Sequence, residues 1–160
     1  AGRYLSVRWI NGSQQYDAEI VQSGEYINQK YFPANAFLEV TCVMHPNEYL
    51  NRELLNTEGV AFGVSGIRRL KSKKIESIPF VHTNSDFIWS FSQLISDRIR
   101  KKNAIKYPLD TSLIVQCTLN TLYTSTDWIA LEKTVRKGVE KTQFREIFIY
   151  DEVSELMFSL

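Results

Sequence analysis

Two carboxylates on consecutive predicted strands are the residues whose types and spacing could do chemistry. Glu39 lies inside the apolar run 36–43, which predicts a short buried strand. Asp17 lies in the strand that is predicted before it. A buried carboxylate is unfavourable unless a metal ion, a proton or a positively charged neighbour compensates it. The sequence leaves open which of these three accompanies Glu39.

A divalent cation is the first of these alternatives. If the two strands are adjacent, Asp17 and Glu39 converge on one point of the sheet, and the backbone carbonyl of Val40 is a natural third ligand. Oxygen donors of this kind suit Mg²⁺ or Mn²⁺, which can polarise a phosphodiester and orient a water molecule. The other interpretation is that Asp17 faces solvent and that Glu39 pairs with a base such as Arg52.

Two residues near Glu39 could complete such a site. Thr41 shares a strand face with Glu39 and offers a hydroxyl. His45 follows the strand, where it could act as a general base or contact a phosphate, or simply hydrogen-bond the backbone of its loop. The only cysteines, Cys42 and Cys117, fall in predicted strands, and we expect both to be buried thiols of a reducing compartment.

Positive charge is concentrated in the later part of the chain, although the net charge is only +1. Residues 1–58 carry seven acids and four bases, whereas residues 59–160 carry eleven acids and fifteen bases. One basic run, in a glycine-containing loop or loose hairpin predicted over 59–74, is a candidate for binding a phosphate backbone, or is a solvated loop. This run consists of Arg68, Arg69, Lys71, Lys73 and Lys74.

The order of elements predicts an α/β fold, in which residues 1–160 form a single domain with a mixed central β-sheet flanked by helices. An Asn11-Gly12 turn predicts an initial hairpin, and Asn47 and Ser85-Asp86 are candidate helix caps. The predicted strands are 4–10, 16–21, 36–43, 75–82, 113–117, 147–150 and 156–160, and the predicted helices are 47–56, 85–105 and 128–139.

Bulk composition sets the class of protein. Hydrophobic residues make up 44% of the chain and charged residues 23%, no apolar run approaches the ~20 residues of a membrane span, and no secretion signal is present. We therefore expect a cytoplasmic protein that has no membrane association. The chain begins with Ala1 rather than Met, so we expect residues to precede it.

Three stretches together resemble one known family. They are the Phe-Leu-Glu-Val-Thr segment 37–41 after Asp17, the basic helix end 95–107 with its Lys-Lys and Lys-Tyr pairs followed by an apolar strand, and the closing segment 144–150. Their order over residues 4–150 resembles the PD-(D/E)XK nucleases, which have the restriction-endonuclease-like fold. The resemblance implies that fold, and it implies hydrolysis of phosphodiester bonds in DNA, or less readily in RNA.

The resemblance also implies a metal site. Its Asp and Glu, here Asp17 and Glu39, would bind Mg²⁺ or Mn²⁺. The family has a lysine two residues after the Glu that helps to activate water, and this chain has Thr41 there. Thr41 and His45 are therefore the remaining catalytic candidates, and Arg52 or the basic run could supply the missing charge. The alternative is an inactive relative that binds nucleic acid or a protein. A homodimer and a larger parent complex both remain open.

Overall fold

The computed structural model describes residues 2–118, 124–139 and 141–160. The elements in chain order are β1 (Tyr4–Trp9), β2 (Ala18–Ser23), α1 (Glu25–Asn28), β3 (Asn35–Val43), α2 (Glu48–Glu58), β4 (Ile67–Arg69), β5 (Ile75–Ser77), α3 (Asn84–Asn103), β6 (Thr111–Cys117), α4 (Ser125–Gly138), β7 (Ile147–Asp151) and β8 (Met157–Ser159). Within these ranges no helix is both long and apolar enough to cross a membrane.

The predicted α/β fold with a mixed sheet is confirmed. Six strands form one sheet in the order β1-β2-β3-β6-β7-β8. The pairs β3–β6 and β6–β7 are parallel, and the other three pairs are antiparallel. Parallel neighbours need a crossover, which α3 supplies between β3 and β6, and α4 between β6 and β7. This topology places α3 over the strand that carries Glu39.

The main core lies between one face of this sheet and the two crossover helices. Phe91, Ile95 and Ile99 of α3 pack there with Leu131 of α4 and Val115 of β6, and all five are at most 2% exposed. The apolar runs that predicted the central strands supply the sheet side of this core. Alternation along β3 puts Glu39 and Thr41 on the same, helix-covered face as Val43.

The two long helices begin at threonines. Thr83 and Thr124 each accept a hydrogen bond from the third helical residue, and the carboxylate of that residue reaches back to the threonine N–H, which completes a capping box. The prediction that Ser85 and Asp86 cap α3 was wrong by two or three positions. Asp86 is the reciprocal partner of the cap rather than the cap itself.

The first hairpin is confirmed, but its predicted turn is wrong. The β1–β2 ladder ends at Trp9 and Ala18, so the connection is the loop 10–17 and not a two-residue turn at Asn11-Gly12. The side-chain amide of Gln14 donates to the carbonyls of Ile10 and Tyr16 and so closes this loop. The longer loop ends at Asp17, which leaves that carboxylate at the margin of the sheet.

A second, smaller sheet follows α2. Strands β4 and β5 pair only with each other, and the strand predicted over 75–82 stops at residue 77, two residues before Pro79. Asn47 was predicted to cap α2, but its side chain makes no cap hydrogen bond. It donates instead to the carbonyls of Val64 and Ile67, which ties the β4–β5 hairpin to the start of α2.

The two cysteines differ in environment. Cys117 is buried in the core, and burial raises the pKa of its thiol, as expected. Cys42 is exposed, so the prediction that it is buried was wrong. It points to the sheet face opposite α3 and α4, where its thiol lies 3.3 Å from the side-chain oxygen of Gln116.

Candidate functional site

Asp17 and Glu39 meet at one point of the sheet. The antiparallel β2–β3 ladder ends at the pair Ala18–Leu38, so Asp17 precedes and Glu39 follows its last pair. The Asp17 N–H donates to the Leu38 carbonyl at 2.8 Å, one position out of the ladder register, so regular pairing stops at Ala18. The predicted adjacency of the two strands is confirmed, and the two acids flank the same end of their ladder.

The backbone of Val40 lies at the same point. The ladder ends at Leu38, so the Val40 N–H has no strand partner across from it, and it donates to Asp17 Oδ2 at 2.8 Å instead. The N–H and C=O of one strand residue point to the same side of the strand. The Val40 carbonyl consequently faces the Asp17 edge, where it was predicted to serve as a third oxygen donor.

Lys102 is the positively charged neighbour of Glu39. Its Nζ forms an ion pair with Glu39 Oε1. The Glu39 side chain is 9% exposed and that of Lys102 is 22% exposed, so water screens this pair weakly. The alternative interpretation, that Glu39 pairs with a base such as Arg52, is confirmed as to a base, but the base is Lys102, and Arg52 pairs with Glu48, one helical turn away in α2.

Helical spacing explains why Lys102 reaches the sheet. It lies three residues after Ile99 and seven after Ile95, so it continues the buried stripe of α3. Its neighbours in sequence face outward, since Lys101 is exposed and Arg100 pairs with Asp97 on the surface. The helical periodicity that identified the buried side of α3 could therefore also have identified Lys102 as a base that faces the sheet.

Tyr107 closes the site from the segment after α3. Its side chain is buried and lies beside the carboxylates of Glu39 and Asp17. Burial, the negative charges of Glu39 and Asp17, and the interaction of the hydroxyl with Glu39 raise the pKa of Tyr107 to about 12. The phenol is therefore protonated at neutral pH and acts as a hydrogen-bond donor. Tyr107 belongs to the Lys-Tyr pair of the family resemblance, and no role was predicted for it.

Thr41 lies on the same face as Glu39 and is 8% exposed. Among the described residues its hydroxyl makes no hydrogen bond to another side chain or to the backbone, in contrast to most buried hydroxyls. A hydroxyl in this state is available to a bound water or ligand. Its predicted role in the site remains a prediction.

His45 lies away from the two carboxylates. It follows the carboxyl end of β3, and its Nδ1 accepts a hydrogen bond from the Asn47 N–H at 3.2 Å. Burial lowers the pKa of His45, and His82 lowers it further, while Glu48 opposes this shift. His45 thus interacts with its own loop, α2 and the segment before α3. This geometry corresponds to the alternative interpretation, in which His45 hydrogen-bonds the backbone of its loop.

The basic run folds into the β4–β5 hairpin. Arg68 pairs with Glu76 across the hairpin, and Arg69 pairs with Glu53 of α2. Lys71, Lys73 and Lys74 are exposed at or beside its turn, and they form no ion pair with any residue that the structure describes. The hairpin follows the carboxyl end of β3, whereas Lys102 and Tyr107 approach Glu39 from the end of α3. The structure thus separates the basic run from the carboxylates.

The carboxylates can be tested as a cation site. In the described ranges, no cluster of three or more His, Cys, Asp or Glu side chains could hold a metal. Mg²⁺, however, is usually bound by only one or two carboxylates together with waters and substrate phosphates. Asp17 and Glu39 flank the same end of the β2–β3 ladder, the Val40 carbonyl is on the Asp17 side of β3, and all three are hard oxygen donors. The donor set fits Mg²⁺ or Mn²⁺.

Comparison with protein-family models, with curated proteins and with solved structures found no match. The geometry of Asp17, Glu39, Lys102 and Tyr107 is therefore the basis for a function.

Proposed function

We propose that the protein is a divalent-metal-dependent phosphodiesterase that hydrolyses nucleic acid, DNA in the first place. The observation that carries this proposal is the juxtaposition of Asp17 and Glu39 across β2 and β3, with Lys102 in contact with Glu39. The order of elements and the positions of the two acids are those expected of a divergent PD-(D/E)XK nuclease with a restriction-endonuclease-like fold.

Asp17, Glu39 and the Val40 carbonyl would hold the cation. A bound Mg²⁺ or Mn²⁺ would supply charge neutralisation at the phosphate and a more acidic water molecule. The Val40 N–H fixes Asp17 Oδ2, which leaves Asp17 Oδ1 for the cation. Tyr107 remains protonated and orients the Glu39 carboxylate, so it is a positioning residue and not a general base.

Lys102 would supply the positive charge that PD-(D/E)XK nucleases carry on a lysine two residues after the Glu. Thr41 occupies that position here and cannot carry a positive charge. Lys102 reaches the same carboxylate from α3, and its ammonium can stabilise the negative charge that develops on a phosphate in the transition state. Thr41 offers its unpartnered hydroxyl to the water or the substrate, while His45 lies too far along the chain to take part in this step.

The hairpin lysines would contribute affinity rather than chemistry. Lys71, Lys73 and Lys74 are exposed, so they can bind phosphates of a long substrate with a strong dependence on salt. Arg68 and Arg69 are already paired with carboxylates, and they would add less.

The test is a cleavage assay with Mg²⁺ or Mn²⁺ on single-stranded DNA, duplex DNA and RNA. Glu39→Gln should reduce the rate roughly 100-fold or more, because a metal ligand contributes several kcal/mol to the transition state. Glu58→Gln, an exposed acid at the end of α2, is the matched control and should retain the wild-type rate. The absence of cleavage of all three substrates, or equal rates for the two variants, would contradict the proposal.

A second candidate is a non-catalytic module that binds nucleic acid or a protein. The observation that favours it is that Lys102 and Tyr107 already satisfy the buried Glu39 carboxylate without a cation. In that case the ion pair is structural, and Glu39→Gln would change stability while the protein has no metal-dependent activity to lose.

A further inference from the structure

A group of aromatic and cationic side chains lies at the amino end of β3, outside the carboxylate site. We name it the Phe32 cluster; it comprises Arg3, Tyr26, Tyr31, Phe32 and Arg145. An open cavity of about 430 Å³ lies against it. The cavity is lined by the segments 30–34 and 145 together with Ile27 and Asp110.

The two arginines lie against the ring of Phe32. The guanidinium carbon of Arg3 is 3.9 Å from the ring centroid, and that of Arg145 is 5.8 Å away. Arg3 is held by the buried side chain of Gln22, whose oxygen accepts from its Nε at 2.6 Å. Because Gln22 is neutral, this hydrogen bond positions Arg3 and leaves its positive charge uncancelled.

The two tyrosines expose aromatic surface beside these charges. The Tyr31 side chain is 66% exposed and that of Tyr26 is 48% exposed. Their rings pack edge to face, with centroids 6.1 Å apart and an interplanar angle of 78°. An edge-to-face pair leaves ring faces open, and an open aromatic face next to a fixed cation is the combination on which unpaired bases stack.

Two residues that line the cavity have unfavourable backbone conformations. Lys30 has φ of 62° and Asp110 has φ of 60°, both in the left-handed region. Such conformations in residues other than glycine have an energetic cost and cluster at active sites and ligand clamps. Asp110 also accepts from Arg145 Nη1 at 2.9 Å, so the strained residue positions one of the two arginines.

The cavity adjoins the carboxylate site. Asp110 follows Tyr107 by three residues, which limits their Cα separation to about 11 Å. The Asp110 carbonyl also accepts from the N–H of Phe37, which is two residues before Glu39. A polymer lying in the cavity could therefore extend toward Asp17 and Glu39.

We infer that the Phe32 cluster binds a single-stranded polynucleotide, with bases stacked on Tyr31 and Arg3 and phosphates bound by Lys30, while Arg145 stays paired with Asp110. A duplex is excluded because its bases are stacked on one another and do not present their faces to protein rings. The inference rests on the proposed function in one respect, since it names the substrate class of that site. The binding itself requires no cleavage.

The test measures binding by fluorescence anisotropy, in EDTA, of labelled oligothymidylate, oligouridylate and a DNA duplex of equal length. The wild-type protein should bind a single strand more tightly than the duplex, and the two oligonucleotides distinguish DNA from RNA. Tyr31→Ala should weaken single-strand binding roughly 5- to 150-fold, as expected for the loss of one stacked base. Tyr31→Phe should restore it.

Tyr49→Ala is the matched control, because Tyr49 is 60% exposed and lies on α2 beside Arg69 of the basic hairpin. It should bind like the wild type. The inference is overturned if no oligonucleotide binds, if the duplex binds as tightly as the single strands, or if Tyr31→Ala has no effect or only the effect of Tyr49→Ala. Cleavage is not measured here, so Tyr31-dependent binding without nuclease activity would retain this inference and reject the proposed function.

Discussion

The carboxylate site and the β4–β5 hairpin both contain paired charges, but in different surroundings. Glu39 and Lys102 are 9% and 22% exposed, whereas Arg69 and Glu53 of the hairpin region are 38% and 45% exposed. Water and salt screen the second pair more strongly than the first. The hairpin was prominent in the sequence because its charges are consecutive. The buried pair joins residues that are 63 positions apart, and it is the more consequential of the two.

The largest expected difference comes from removing the cation of each pair. Lys102→Met leaves the Glu39 carboxylate buried beside Asp17 without its partner, and we expect a loss of about 3 kcal/mol in the free energy of unfolding. Arg69→Met is the matched change in the hairpin region and should cost less than about 1 kcal/mol, since Glu53 remains solvated. Urea denaturation measures both values.

If Lys102→Met and Arg69→Met lost equal free energy of unfolding, the buried and the exposed ion pair would not differ in their contribution to stability. A loss below about 1 kcal/mol for Lys102→Met would mean that Glu39 is compensated in another way, by protonation or by water. Either result would contradict the account of the buried pair.

A smaller effect is expected at Tyr107. Tyr107→Phe removes a buried hydroxyl that interacts with the Glu39 carboxylate and should cost about 1.5 kcal/mol at pH 8. The folded protein keeps the Tyr107 proton up to a pKa of about 12, whereas the unfolded chain releases it near pH 10. The stabilisation of the wild type is therefore complete below pH 10 and is lost as the pH rises toward 12.

The difference in stability between the wild type and Tyr107→Phe should accordingly narrow from pH 10 to pH 12. Thermal denaturation at a series of pH values measures it. Tyr150→Phe is the control, because in the described ranges the Tyr150 hydroxyl makes no hydrogen bond. A gap that is constant across the interval, or equal for the two variants, would show that Tyr107 does not interact with the carboxylates.

Local patterns were enough to predict most of the fold. Apolar runs identified the central strands, and helical spacing identified the buried side of α3, because both reflect burial against one core. The adjacency of β2 and β3 followed from their order in the chain. The confirmed part of the prediction, the strands and helices of the mixed sheet, is thus the part that short-range periodicity determines.

Side-chain partners depended on tertiary packing and were predicted less well. Asn47 has the residue type of a helix cap, but two unpaired carbonyls of the hairpin compete for its amide. Arg52 is the first base after Glu39 in the chain, yet α2 turns it toward Glu48. Lys102 was noted as part of a basic helix end, and its position on the buried stripe became informative only once α3 was placed over β3.

The central claim is that Asp17 and Glu39 hold one divalent cation together, and calorimetric titration of the protein with Mn²⁺ in the absence of substrate tests it most directly. We expect saturable binding of one ion in the wild type that is lost in both Asp17→Asn and Glu39→Gln and retained in Glu58→Gln. Binding that survives either substitution at the two carboxylates, or no binding in the wild type, would contradict the claim and favour the structural ion pair of Glu39 with Lys102.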